Sequence, residues 1–224
     1  MSASFLKLIQ RGATAEVADA VEADPALAYT RDPQGVSALL WSIYCGQVLV
    51  RDFLLSRLAA SGFALDVLEA AAAGDTELLK TMLGADPALA LEYSGDGWTA
   101  LHLAAAFGTP AAVAVLLDAG ARVDTFSSNP QHNQPLHAAL ALGKKPETVQ
   151  LLLAHGADPN GAQAGGFTPL FSAAVADRRD LVELLLAHGA DPKRTSDQGK
   201  TAAEFARERG HAEMAAWLEA QGKR

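Results

Sequence analysis

Asp96-Gly-Trp-Thr-Ala-Leu-His-Leu-Ala-Ala-Ala-Phe-Gly108 runs on to Val113-Ala-Val-Leu-Leu-Asp-Ala-Gly-Ala121, and the reading of this stretch decides the fold. Leu101 to Ala106 reads as one short helix and Ala111 to Ala119 as a second, separated by Gly108-Thr-Pro110. Helices this short are not stable alone in water, so neighbours must hold them. The neighbours are visible as copies. Gln134-Pro-Leu-His137 is followed by Leu151-Leu-Leu-Ala-His-Gly-Ala-Asp-Pro159, and Thr168-Pro-Leu-Phe171 by Leu184-Leu-Leu-Ala-His-Gly-Ala-Asp-Pro192. The residue closing the first helix recurs at Gly12, Gly46, Gly74, Gly108, Gly143, Asp177 and Gly210, with gaps of 34, 28, 34, 35, 34 and 33 residues. A period in this range marks a stacked repeat array in which each unit touches only its neighbours. The register predicts one array over 1–224, with units at 1–33, 34–62, 63–94, 95–129, 130–163, 164–196 and 197–224.

Local chemistry agrees with the register. Thr168 is predicted to cap a first helix that opens with Pro169, a position where no amide partner is needed. His102 and His137 fall at the third helical position, where a polar side chain reaches back to the cap. Glu204 holds the same place in Thr201-Ala-Ala-Glu204, a capping box. These histidines are therefore read as structural and not catalytic. His155 and His188 end second helices, where the helix dipole favours partial positive charge.

These motifs resemble the ankyrin repeat: a finger, then Gly-x-Thr-Pro-Leu-His-x-Ala-Ala, then a second helix ending Leu-Leu-x-x-Gly-Ala. Residues 96–121 and 166–192 match closely, and 131–159 match with one extra residue at Lys144-Lys145. Before Asp96 the first three units diverge from the pattern. The resemblance implies an all-α solenoid of helix-turn-helix units with extended hairpin fingers, stacked right-handedly. It also implies a non-enzymatic module that binds a partner protein through its concave surface. Two alternatives stay open: a regulatory or protective accessory subunit of an enzyme, and a small-molecule binder in the groove.

Composition narrows the choice. The 224 residues carry a net charge of −8, which argues against general nucleic-acid binding. The single cysteine, Cys45, excludes an internal disulfide and fits a reducing compartment, so a cytoplasmic protein is expected; a monomer is expected as well. Gly97 to Leu117 has no charged side chain, but Gly108-Thr-Pro110 interrupts it, and it reads as two buried helices and not a membrane span. No signal peptide, metal-ligand spacing, phosphate loop or nucleophile elbow is present, so neither a cofactor nor a metal is expected.

Carrying the family's binding positions over by register gives finger residues Gln34, Val36, Asp96, Trp98, Gln131, Asn133, Gly165 and Phe167. The first-helix ends supply Tyr44, Cys45, Ala106, Phe107, Ala141, Leu142, Val175 and Ala176. Tyr44, Trp98, Phe107, Leu142 and Phe167 would form one row of large apolar groups, where binding energy tends to concentrate. The same rings could instead pack between adjacent fingers. The ends are predicted to differ from the middle. Glu219 stands where earlier units have Leu117, Leu153 and Leu186, which gives the last unit a polar outer face. Between Gly46 and Gly74 no Gly-Ala-Asp-Pro finger is found, which suggests a bend, a hinge or a tolerated deletion.

Overall fold

The computed structural model describes residues 2–143 and 145–222, and over them the short helices stand in antiparallel pairs. Here α1 (Ser2–Gln10) packs on α2 (Thr14–Ala23), α3 (Ala38–Tyr44) on α4 (Val48–Ala60), and α5 (Val67–Ala73) on α6 (Thr76–Ala85). The pattern continues with α7 (Ala100–Ala106) on α8 (Pro110–Asp118), α9 (Pro135–Ala138) on α10 (Pro146–Ala154), α11 (Pro169–Val175) on α12 (Arg179–Ala187), and α13 (Ala202–Glu208) on α14 (Ala212–Gln221). The first helices also stack in series from α1 to α13. One buried cluster runs through the pairs, from Phe5 and Ile9 through Leu101 and Leu152 to Leu218. This continuous core replaces the stability the individual helices lack.

Fingers project between the pairs. Among the described residues there is no strand, but antiparallel bridges at Arg31–Ser37, Tyr93–Thr99 and Thr195–Thr201 close three of the fingers. Successive fingers are tied by backbone hydrogen bonds: Ser128 N donates to Gly97 O at 2.9 Å, Ala164 N to Gln131 O at 3.0 Å, and Asp197 N to Gly165 O at 3.0 Å.

The helix starts test the capping expectations one by one. His102 Nδ1 lies 2.7 Å from Thr99 Oγ1 and accepts from Thr99 N at 3.3 Å, while Nε2 lies 3.0 Å from the Asn133 carbonyl of the next finger. His137 repeats this, accepting from Gln134 N at 3.3 Å and reaching Gly161 O at 3.1 Å. A carbonyl only accepts, so in both rings Nε2 carries the proton. Each histidine thus caps its own helix and fastens the following finger. Asp66 with Glu69, and Thr201 with Glu204, form further capping boxes. Thr168 departs from expectation. Its side chain caps nothing, the Phe171 amide bonds the Thr168 carbonyl at 3.0 Å instead, and Oγ1 is buried without a partner among the described residues. At the other helix ends, His155 and His188 donate from Nδ1 to Leu151 O and Leu184 O at 2.8 and 2.9 Å.

Two irregularities matter for the surface. The extra residue of the fifth pair was assigned above to Lys144-Lys145; Lys144 lies outside the described residues. Before it the chain widens into a π turn over Ala139–Gly143, the local geometry that absorbs one inserted residue in a helix. That turn leaves Leu142 51% exposed. The second irregularity is the missing finger. The helix α4 extends to 13 residues and joins α5 through 61–66 with no bridge. The flanking fingers close over the gap: a Cβ on Gly95 would lie 1.4 Å from Gln34 O. Only glycine permits that approach.

Candidate functional site

The closure brings together side chains far apart in the sequence. The second half of α5 is Ala70-Ala-Ala-Ala73, and Ala72 and Ala73 border the space beside Phe107. No bulky side chain there separates α3 from the end of α7. Tyr44, the last residue of α3, stacks on Phe107 with ring centroids 5.3 Å apart and planes inclined by 28°. Trp98 lies 6.3 Å from Phe107, and Trp41 stands edge-on to Tyr44 at 6.1 Å. Offset and edge-on arrangements at these separations are the favoured ones for aromatic pairs. All four rings are half-buried, so they pack on one another and still present surface.

Carboxylates surround this cluster. Asp32 Oδ2 accepts from Trp41 Nε1 at 3.0 Å, while its Oδ1 accepts from the amides of Gln34 and Val36, both at 2.9 Å. Asp96 Oδ1 accepts from Ser94 Oγ at 2.5 Å and lies 3.5 Å from the Tyr44 hydroxyl. Asp66 is paired at 2.9 Å with Arg31, which also reaches Glu69 at 3.3 Å and Gly35 O at 2.9 Å. Burial first, then Asp96, Asp32 and Asp66, push the Tyr44 phenol well above its ordinary range. Burial also raises the Cys45 thiol, so this residue is held away from the nucleophilic thiolate form. Burial and Asp66 raise the Glu69 carboxyl. Beyond the rings a groove of about 460 Å³ follows the finger tips, lined by Gln34, Asp96, Trp98, Asn129 and Gln131.

The positions carried over by register are thus distributed unevenly. Tyr44, Asp96, Trp98 and Phe107 come together, and Gln131 is exposed on the adjoining groove. Val36 and Asn133 do not present surface: they are only 2% and 6% exposed. Val36 enters the core, and Asn133 lies beneath the finger, where its carbonyl serves His102. The single apolar row divides in two. Phe167 belongs to a separate triangle with Phe171 and Phe205, with centroids 5.3–5.6 Å apart, beside Val175. Leu142 stands exposed as the other large apolar residue of that row.

Trp41 and Phe205 were missed. Both occupy the fourth position after a helix cap, Ser37 and Thr201, which elsewhere is Leu103, Ala138 or Ser172. A scan of that register position for ring residues would have found them. Asp32 was missed because its role depends on a Trp41 indole nine residues away.

Comparison with known proteins supplies the family. The family model for ankyrin repeats in three copies matches residues 67–163 and 144–223. A transient receptor potential cation channel subfamily A member 1 homolog of Caenorhabditis elegans is 37% identical over 151 residues, 67% of this chain and 12% of that protein. The human neurogenic locus notch homolog protein 4 is 34% identical over 146 residues, 65% of this chain and 6% of its own length. A probable E3 ubiquitin-protein ligase of Oryza sativa subsp. japonica, XBOS31, is 41% identical over 88 residues, 39% of this chain and 19% of its own. The chain therefore spans less than a fifth of the length of each of these relatives.

Proposed function

This chain belongs to the ankyrin-repeat family, whose repeats are general protein–protein interaction modules, and we propose that it binds a partner protein through the concave face formed by its fingers and first-helix ends. The observation that carries this reading is the half-exposed cluster of Trp41, Tyr44, Trp98 and Phe107 at mid-array, continued by the groove at the finger tips. Aromatic groups held in a dry, rigid surround are where interface energy concentrates. A preformed surface also loses little ordering entropy on association. The relatives carry names of unrelated kinds, a channel homologue, a ligase and a notch homologue, so no one of those activities transfers to this chain. The reading is of a non-catalytic module acting as a monomer in the cytoplasm. The lone cysteine fits a reducing compartment, and burial holds its thiol away from the nucleophilic form. No helix among the described residues is long and apolar enough to cross a membrane.

The test is comparative capture from the source cell. The wild-type chain should retain a stoichiometric partner. The double change Trp98→Ala and Phe107→Ala should lose it by tenfold or more, given about 2 kcal/mol for a central aromatic anchor. Gln150→Ala, on the exposed side of α10, should behave as wild type. Equal retention by all three chains would place the contact elsewhere.

A further inference from the structure

Three half-buried rings elsewhere in this chain carry a cation of the chain's own, whereas the exposed rings of Phe63, Tyr93 and Phe126 carry no Lys or Arg among the described residues. Arg57 lies 5.6 Å from the ring centre of Phe53, Arg179 4.4 Å from that of Trp217, and Lys200 5.6 Å from that of Phe205. The cluster of Trp41, Tyr44, Trp98 and Phe107 carries none among the described residues, although it is the largest assembly of rings. Carboxylates border it with no cation between. Asp32 and Asp96 both touch its rings, and among the described residues neither is paired with a basic side chain. Arg31, the basic residue beside them, is committed to Asp66, Glu69 and the Gly35 carbonyl. Asp96 Oδ2 accepts no hydrogen bond among the described residues, since both its contacts go to Oδ1.

Aromatic faces and carboxylates favour the same ligand for different reasons. A ring face attracts a cation through its quadrupole. A carboxylate beside apolar rings is poorly solvated and gains from a charge-assisted partner. A guanidinium satisfies both at once, being planar enough to stack and forked to meet a carboxylate. An ammonium meets only the charge. The chain's net charge of −8 favours approach of a basic partner over any acidic one.

We propose that this cleft receives an arginine side chain of the partner protein, its guanidinium stacked against the Tyr44–Phe107–Trp98 surface and bonded to Asp96, with Asp32 adding to the field. The inference rests on the protein-binding reading above and gives the partner a stated chemistry. It also assigns a role to the missing finger, because Tyr44 meets Phe107 and Asp96 only where that finger is absent.

The chain has three tryptophans, so its indole N–H groups form a built-in assay in a nitrogen-15 correlation spectrum. The probes are N-acetyl-arginine methylamide, its lysine counterpart and the neutral norleucine counterpart. The arginine probe should shift the Trp98 and Trp41 indoles saturably. Trp217, already covered by Arg179, should not move. Lysine should bind more weakly and norleucine not at all. Asp96→Asn should weaken the arginine probe about fivefold, the effect of one partly exposed ion pair. Should that variant not fold, the wild-type contrast between arginine and norleucine decides. Equal shifts from norleucine and arginine, equal shifts at all three indoles, or no shift would overturn the proposal. If the arginine probe fails while Trp98→Ala with Phe107→Ala still abolishes capture of the partner, the arginine assignment alone falls. If capture too is unaffected, the contact lies elsewhere and the concave-face reading falls with it.

Discussion

Replacing His102 and His137 together by Gln should remove most of the acid sensitivity of this protein between pH 6.5 and 5. Both imidazoles are fully covered, at 0% and 1% exposure. Each uses Nδ1 as an acceptor facing amide or hydroxyl donors and Nε2–H as a donor to a carbonyl. A second proton on Nδ1 would meet those donors and would be buried away from water. Burial is accordingly the leading cause that lowers both rings from 6.5 to about 4. A lowered value means that the unfolded chain takes up protons the folded chain refuses. Stability is therefore unaffected by these groups well above pH 6.5 and falls as pH drops from there toward 4. With those end points each ring costs about 2 kcal/mol by pH 5, and the pair contributes a slope of roughly 2.4 kcal/mol per pH unit through the middle of the window. Glu69 works in the opposite sense, since its raised carboxyl binds a proton more firmly when folded. It is present in both proteins and cancels in the comparison. Gln is chosen because it can keep the reach-back to the cap amide without titrating. The assay is urea denaturation followed by helical circular dichroism at half-unit steps from pH 7.5 to 5. The variant should be less stable at pH 7.5 but much flatter with pH. Parallel pH profiles for the two proteins would refute the assignment of the histidines as buried neutral caps.

Two smaller perturbations test the local geometry. Gly95→Ala should cost about 2 kcal/mol or more by driving the fingers apart, because the new Cβ would lie 1.4 Å from Gln34 O; Gly84→Ala, with open space around it, should be neutral or stabilising by up to about 1 kcal/mol. Thermal melts of the two variants give the contrast, and a Gly95→Ala protein as stable as wild type would contradict the closed fingers. Thr168→Val should be neutral or slightly stabilising, since its buried hydroxyl has no partner among the described residues, whereas Thr99→Val should cost about 1 kcal/mol through the lost cap. Equal losses in the two variants would show that Thr168 caps its helix after all.

Much of the architecture is legible because its determinants are local. The third-position histidines, the Thr201–Glu204 box and the glycines closing first helices act over three or four residues, so the chain states them directly. Asp177 is instructive: it holds the register position of Gly12, Gly46, Gly74 and Gly210 and adopts the same left-handed backbone, with φ of 53°, whereas Gly108 does not. The register thus located the turn even where the residue type changed. The Glu219 end is legible for the same reason: it is exposed and ion-paired with Arg207 on the outer face of the last pair.

The binding surface is less legible, because it depends on what a finger meets on its far side. Val36, Trp98, Asn133 and Phe167 share one register position and have different fates. Val36 and Asn133 are covered, whereas the rings of Trp98 and Phe167 are too large to be buried fully and lean on Phe107 and Phe205. By itself the sequence determined the repeat, the helix positions to within a residue or so outside the fifth unit, the caps apart from Thr168, and the polar end, all set by short-range hydrogen bonding and helical periodicity. Only the tertiary structure decided that Tyr44 crosses over alanine-rich α5 to reach Phe107 and Asp96. That contact arises from the closure of two fingers across a missing third, and such closure is set by packing between residues about sixty positions apart, which no local pattern encodes.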